Sequence, residues 1–310
     1  MKNVIPVFYA CDDAFVKYTI VSIKSLLDNL SKDSICKIYI LNTNISDEMK
    51  QHVKGLETAD STIEFVDVTP FLTSIQDKLP LRHYYSKTTY YRLFIAEIFK
   101  EYDKAIYIDS DTLVLADINQ LYSYDVSNYY VGACHEQVMR QVPIFGTYVE
   151  EVLGMSRYNF FNAGILLINC DKFRTEKVLD QFIDLLGQYN FIVTQDEDYL
   201  NLICENKVLW LPQQWNTEVI NDILYPVEEV KIFHFIMTSK PWNYKDAQHS
   251  EYFWQYAKKT SVYELIVENL NNYSDAEKLR DKLSGDHLVQ MAIDEIDRPD
   301  NYLKRKKLKG

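Results

Sequence analysis

The sequence predicts an α/β fold built on a mostly parallel sheet with helices on both faces. Three observations carry this expectation. Short runs rich in Val, Ile and Tyr alternate with segments of helical period over roughly the first 120 residues. The runs are apolar almost throughout, as strands covered on both faces are. The chain has 310 residues and is 47% hydrophobic, enough for one large core or a core with an appendage.

The elements follow in order. VIPVFYA, from Val4, reads as a buried first strand. AFVKYTIVSIKSLLDNL carries Phe15, Ile20, Ile23, Leu26, Leu27 and Leu30 near helical spacing. CKIYILN is a second strand, SDEMKQHVKGLE a helix, and TIEFVDV a third strand. An irregular stretch comes next, then a helix over KTTYYRLFIAEIF, and KAIYIDSDTLVL as a central strand running into a loop. Beyond it the pattern is mixed. YYVGACHE, FNAGILLINC, VLWLP and VKIFHFI read as strands, EKVLDQFIDLLGQY and DEDYLNLICEN as helices. From about Tyr244 the chain turns helical and more charged, through HSEYFWQYAKK and DAEKLRDKLSGDHLVQMAIDEID. The expected division is 1–245 for the α/β part and 246–310 for a helical extension with a basic tail.

Composition removes several classes. Net charge is −12, which argues against nucleic acid as the partner. The end, YLKRKKLKG, gathers Lys304, Arg305, Lys306, Lys307 and Lys309. Such a tail is either a solvated end or a contact for an anionic cytoplasmic membrane leaflet. The five cysteines are scattered without a CxxC pair, which suits a reduced cytosolic protein. No apolar run reaches the length of a membrane span, and the N-terminus reads as a strand rather than a signal peptide. No two of the eight glycines are closer than eight positions, so no G-x-G-x-x-G or P-loop can be written. That speaks against Rossmann dehydrogenases, P-loop kinases and sugar-nucleotide pyrophosphorylases.

The strongest local signal is YIDSDTLV. Asp109 and Asp111 are two apart, so on an extended chain they share a face. They follow the apolar run AIYI, at the carboxyl end of a buried strand, where ligands of open α/β sheets bind. Two carboxylates so close repel unless a cation lies between them. Mn²⁺ or Mg²⁺ fits such oxygen ligands and can bridge to a diphosphate; a plain pair of turn aspartates is the alternative. His234, amid apolar residues, is either a core histidine or an imidazole completing the metal set. Lys240 is either solvated or a point charge for a diphosphate. Asn162, before the small step Ala163-Gly164, offers a donor and an acceptor where a backbone or ligand can come close. Arg92, in an apolar segment, needs a phosphate or an acid such as Glu97 as partner. In VTQDEDYLN, Thr194 with Glu197 reads as a capping box ahead of an apolar helical run, and a carboxylate aimed into a cleft is the alternative reading of Glu197.

These blocks, in the order YACDDAF, TTYYRLF, YIDSDTLV, FNAGILLIN, QDEDYLN and HF…KPW, resemble glycosyltransferase family 8 over residues 4 to about 242. The nearest likeness is to bacterial lipopolysaccharide galactosyl- and glucosyltransferases. The resemblance implies a GT-A fold, here a mostly parallel mixed sheet flanked by helices with a helical C-terminal extension. It implies a retaining transfer of hexose from UDP-galactose or UDP-glucose to a saccharide acceptor, in cell-surface glycan synthesis, with Mn²⁺ as cofactor and Mg²⁺ as the alternative. Asp109, Asp111 and His234 would hold the metal. Ala10, Cys11, Asp12 and Phe15 would line the uracil, with Phe15 stacking. Arg92, Asp109, Ser110, Asn162, Ala163 and Gly164 would lie along the donor, and Lys240 at its diphosphate. Asp196 and Glu197 would face the reacting side of the sugar. The expected setting is the cytoplasm, with a peripheral membrane contact through the basic tail and no nucleic acid. A silent sugar-nucleotide-binding protein and a metal-dependent UDP-sugar hydrolase are the alternatives.

Three departures from the family pattern stand out. Ala14-Phe15 replaces a frequent Asn-Tyr, Met237 occupies a turn that usually carries Gly, and Glu197 stands where Gln is frequent. Gln is a poor nucleophile and favours a same-face ion-pair route; Glu is a competent one.

Overall fold

The computed structural model describes residues 2–74, 87–220 and 223–309. The irregular stretch expected before the aromatic segment falls largely on 75–86, outside those residues. Strands β1 (Asn3–Ala10), β2 (Ser34–Asn42) and β3 (Ser61–Asp67) pair in parallel, connected by helices α1 (Val16–Asp28) and α2 (Asp47–Lys54). β4 (Lys104–Ile108) lies parallel to β1 on its other side, and β5 (Thr112–Val114) follows after a three-residue loop. β6 (Val131–Ala133) and β7 (Ile165–Asn169) are antiparallel to one another, and β7 is antiparallel to β4. Helices α3 (Val178–Gln188) and α4 (Asp196–Ile203) lead to β8 (Val208–Trp210), β9 (Thr217–Glu218) and β10 (Ile232–His234). The main sheet has the order β3-β2-β1-β4-β7-β6-β8, and β5-β10-β9 form a second, small sheet.

Period-two alternation divides the main sheet's side chains between two cores. Phe8, Tyr39, Leu41, Ala105 and Tyr107 face one; Val7, Tyr9, Ile38, Ile40, Ile106 and Ile108 face the other. Both are sealed, which is why these strands read as continuous apolar runs. The carboxyl ends of β1 and β4 lie side by side, and β1 is also where the chain turns from α1 and β2 to the β4 side. This is the crevice where open α/β sheets take ligands.

The helix expected over 87–99 is instead a 3₁₀ segment, Lys87–Phe94, with one α-turn, Ile95–Ile98. Thr88, Thr89, Tyr90 and Tyr91 lose rotamer freedom in an α-helix, and that weakens the segment's preference for one. The C-terminal helices α5 (Ser250–Ala257), α6 (Tyr263–Asn272), α7 (Asp275–Asp297) and α8 (Tyr302–Lys309) appear where charge and helical period rise. α7 begins on a reciprocal capping box between Ser274 and Glu277. Phe253 and Ala257 of α5 enter one core, Met291 and Ala292 of α7 the other. Buried Glu295 is held by Arg298 at 2.6 Å and by the Tyr189 hydroxyl. Two of the tail's basic groups are turned back on the chain: Lys304 donates to the Ile296 and Arg298 carbonyls, and Arg305 pairs with Asp300. Among the described residues no helix is long and apolar enough to cross a membrane.

Candidate active site

Asp109, Ser110 and Asp111 form the loop between β4 and β5. A ladder of hydroxyls on α1 fixes it. Thr19, Ser22 and Ser25, three apart and fully buried, bond in turn to Ser110 (2.8 Å), Thr112 (2.9 Å) and the Val114 N–H (2.8 Å). Ser110 also donates to the Ala10 carbonyl at 3.2 Å, tying the loop to the end of β1. β5 then pairs antiparallel with β10 in a register that sets Thr112 opposite His234, and the Phe235 N–H reaches the Asp111 carbonyl at 2.9 Å.

That register brings His234 Nε2 to 3.2 Å from Asp111 Oδ1 and 3.9 Å from Asp109 Oδ2. One ligand atom from each of the three residues falls within 4.8 Å of the others. Two carboxylates and an imidazole are a donor set that can hold a divalent metal ion, and the imidazole speaks against Ca²⁺. Gly164 is what leaves them room: a Cβ there would stand 2.3 Å from His234 Cε1 and 2.8 Å from Asp109 Oδ2.

Two cations flank the carboxylates. Lys240 Nζ lies 2.5 Å from Asp111 Oδ2 and also donates to the Phe235 carbonyl. Burial alone would raise the Asp111 carboxyl, but Lys240 and His234 outweigh it and hold the group well below the usual carboxylate range. Arg92 is buried, and its partners are Asp109 (3.1 Å) and Asp196 (3.1 Å), not Glu97. It also donates to the carbonyls of Thr89 and Ala163 and lies over the Tyr107 ring at 4.4 Å. Burial pushes Asp196 up to about 6 despite Arg92.

The Asn162-Ala163-Gly164 step is held at nearly every polar group. The Gly164 carbonyl accepts from the Asp109 N–H at 2.7 Å, and the Gly164 N–H donates to Asn162 Oδ1 at 2.8 Å. The Ala163 N–H donates to Glu197 Oε2 at 2.7 Å. Glu197 is therefore not a capping residue. α4 starts after Gln195, which makes no side-chain cap and has φ 56°, ψ −117°, a conformation that L residues rarely adopt. Burial, reinforced by Glu136, drives the Glu197 carboxyl well above its ordinary range against the pull of the Ala163 N–H.

Four residues here escape the sequence reading: Tyr107, Glu136, Asn216 and Glu218. Tyr107 donates to Asp109 Oδ1 at 2.6 Å. Asn162 Nδ2 donates to Glu136 Oε2 at 2.6 Å, and Asn216 joins Asn162 to His234. Burial and then Glu136 drive Glu218 well above the carboxylate range. Period two from Asp109 finds Tyr107, but nothing local marks the others. They meet through the β6–β7 and β9–β10 pairings.

At the other end of the crevice, Ala10 and Cys11 are buried at the tip of β1. Asp12 Oδ1 accepts the Phe15 N–H at 2.9 Å, and the exposed Phe15 ring stands edge-on to Tyr18 and Trp242. Burial raises the Cys11 thiol to about 12, so it stays neutral. Met237, in the turn before Lys240, has φ 57°. That is the left-handed region where Gly carries no penalty.

Comparison with known proteins agrees with this architecture. The model of "Glycosyl transferase family 8" matches residues 6–246. A Haemophilus influenzae relative classed with glycosyltransferases is 31% identical over 248 residues, spanning 77% of this chain and 73% of that one. Glycosyltransferase GlyF of Streptococcus pneumoniae is 29% identical over 259 residues, 80% of this chain and 60% of its own. Among solved structures, the galactosyltransferase LgtC in complex with donor and acceptor sugar analogues aligns with TM-score 0.67 and 25% identity, covering 83% of this chain and 96% of LgtC. The bifunctional glycosyltransferase WbbM aligns with TM-score 0.77 and 24% identity over 87% of this chain and 52% of its own, a likeness of fold. With the family model spanning most of its length, the chain belongs to glycosyltransferase family 8, a transferase on a GT-A fold.

Proposed function

We propose that this transferase moves a hexose from UDP-galactose or UDP-glucose to a saccharide acceptor, with retention at the anomeric carbon, in the building of a bacterial cell-surface glycan. The observation that carries the reading is the convergence of Asp109, Asp111 and His234 at the carboxyl end of β4, beside the tip of β1. The donor set and the space left by Gly164 fit a divalent ion, Mn²⁺ first and Mg²⁺ second. Such an ion supplies Lewis-acid stabilisation of the leaving diphosphate.

The chain's own groups do the rest. Lys240 moves from Asp111 to the diphosphate as a point charge, which its three donors allow. Ala10, Cys11 and Asp12 line the uracil, and the exposed Phe15 ring offers a stacking face. Arg92 and Asp109 take sugar hydroxyls, with Asn162, Ala163 and Gly164 forming the wall behind them. Ser110 keeps the Asp109–Asp111 loop against β1. Asp196 and Glu197 stand at the reacting side, joined to that wall through Arg92 and the Ala163 N–H. The complex of LgtC with donor and acceptor sugar analogues supports a nucleotide sugar and a saccharide as partners. The basic tail supports a peripheral contact with an anionic leaflet.

The test is a thermal-shift screen of UDP-sugars in Mn²⁺, followed by turnover with the best donor and a saccharide acceptor, the product's anomer read by NMR. UDP-hexose stabilisation that needs Mn²⁺ and is lost in both Asp109→Ala and Asp111→Ala is expected. Equal UDP binding by the wild type and both variants in Mn²⁺ would refute the assignment. UDP release that is the same with and without acceptor would make it a hydrolase.

A further inference from the structure

We infer that Asn216 is a positioning residue that sets the tautomer of His234 and ties it to Asn162. The inference rests on the metal-dependent reading above. The Gly164 backbone N–H can only donate, so the Asn162 atom 2.8 Å away is the carbonyl oxygen. The other end of Asn162 is then its NH₂, which suits its 2.6 Å contact with Glu136 Oε2. The Asn216 atom 2.8 Å from that same Asn162 oxygen must in turn be a donor, its Nδ2. This leaves Asn216 Oδ1, an acceptor, facing His234 Nδ1 at 3.0 Å. A neutral His234 ring therefore carries its proton on Nδ1, and the Nε2 lone pair points towards Asp109 and Asp111.

The direction matters because the apo site pulls the other way. A ring with hydrogen on Nε2 would donate straight to Asp111 Oδ1, 3.2 Å distant, and present no lone pair to a cation. Asn216 opposes that outcome. It is fully buried, with Asn162 and His234 nearly so, and no water is needed to complete the chain of bonds. Reversing one amide leaves two buried oxygens facing each other, so the polarity runs unbroken from the Gly164 N–H to the imidazole. The backbone holds Asn216 in place: its carbonyl accepts from Gln213 at 2.9 Å, and β9, which starts at the next residue, pairs with β10 beside His234. Outer partners of metal-binding histidines act in this way, orienting the ring and fixing which nitrogen is free. The same amide also touches Asn162, so the metal ligand and the wall of the sugar site share one support.

The experiment compares Asn216→Asp and Asn216→Leu in the full chain. Asp keeps an acceptor for His234 Nδ1 but loses the donor to Asn162; Leu loses both. In metal-free protein, ¹⁵N NMR of the His234 ring should show Nδ1–H in wild type and Asn216→Asp, and Nε2–H gaining in Asn216→Leu. Titration with Mn²⁺ alone, followed by EPR, should give wild-type affinity within about threefold for Asn216→Asp and a fall of about 10- to 100-fold for Asn216→Leu, the range for lost outer partners. UDP-sugar affinity, but not UDP affinity, should fall in Asn216→Asp. The same ring tautomer in wild type and Asn216→Leu overturns the inference, as does equal Mn²⁺ affinity. Should the Leu variant not fold, Asn216→Asp decides: a metal-free ring with its hydrogen on Nε2, or Mn²⁺ affinity more than about tenfold below wild type, overturns it. A wild type that binds no Mn²⁺ defeats the metal reading instead, while the metal-free NMR still judges the relay.

Discussion

Gly164→Ala should disable the site with a single methyl. Its Cβ would stand 2.3 Å from His234 Cε1, whereas carbon atoms in contact settle at about 3.5 Å. The deficit of about 1.2 Å must be met by movement. The Gly164 backbone has little freedom, since its carbonyl holds the Asp109 N–H at 2.7 Å and its N–H holds Asn162. His234 must therefore shift, and a shift of that size breaks its 3.0 Å bond to Asn216. Overpacking of this kind costs about 1–3 kcal/mol of stability. The displaced imidazole should lower Mn²⁺ affinity about 10- to 100-fold, as loss of ligand orientation does. Calorimetric titration of Mn²⁺ and a thermal melt measure both effects. Gly187→Ala is the control: nothing lies within 4 Å of its added Cβ, near the end of α3, and it should stabilise by about 0.5–1 kcal/mol. Wild-type Mn²⁺ affinity in Gly164→Ala would show that His234 is no part of the metal set.

The remaining expectations concern protons, strain and the tail. Burial raises the Asp198 carboxyl to about 7, so the folded state binds a proton that the unfolded chain releases near pH 4. Stability should therefore fall as pH rises from about 4 to about 7, and Asp198→Asn should flatten that slope in urea melts at stepped pH. An unchanged slope would place Asp198 in the charged state. Gln195→Gly should relieve about 1–3 kcal/mol of backbone strain while slowing transfer, because α4 then starts less rigidly; a melt and a turnover assay together check the trade. Replacing exposed Lys306 and Lys307 by Gln should weaken binding to anionic vesicles about 30-fold at low salt, at about 1 kcal/mol per charge, and leave turnover on a soluble acceptor unchanged. Glu197→Gln should keep turnover within about tenfold and melt no lower than wild type, whereas Glu197→Ala, which leaves the Ala163 N–H without a partner, should lose about 1–3 kcal/mol of stability.

What sequence could show depended on where each group sits relative to a strand end. Asp109 and Asp111 lie just past the end of an apolar run, and parallel sheets expose such ends in one crevice, so the place of this pair was legible. His234 and Lys240 reach it from the separate small sheet, where β10 pairs antiparallel with β5, and only the family resemblance pointed to them. The strand that carries Gly164 enters β7 antiparallel to β4, and the short pairings of β6, β8 and β9 have few residues each. Glu136, Asn216 and Glu218 reach the site only through those long-range contacts, and no local spacing announces them. The capping box at Thr194 misled for another reason. The unusual backbone at Gln195 delays the helix start and turns the Glu197 carboxyl towards Ala163. The 3₁₀ segment at Lys87–Phe94 likewise preserved an apolar rhythm without an α-helix behind it, yet still delivered Arg92 to Asp109.

Asp111 stands apart from Glu197 and Glu218, and the difference bears on Glu197. Asp111 faces Lys240 and His234 and is held ionised. Glu197 and Glu218 lie in dry surroundings next to Glu136, and both are driven towards the neutral form. Environments that push neighbouring carboxyls apart in this way assign them different tasks. The ionised group suits a cation. With its carboxyl driven towards the neutral form Glu197 is a weak nucleophile, and attack through it would first require losing a proton. Glu197 also belongs to a continuous frame: it holds the Ala163 N–H, Arg92 holds the Ala163 carbonyl, and the Asp109 N–H holds the Gly164 carbonyl. Glutamine presents the same acceptor oxygen to the same N–H and has no charge to lose, so it can replace Glu197 in this frame. The geometry therefore favours Glu197 as a support for the wall behind the sugar. A sugar ester trapped on Glu197 and seen by mass spectrometry would refute this.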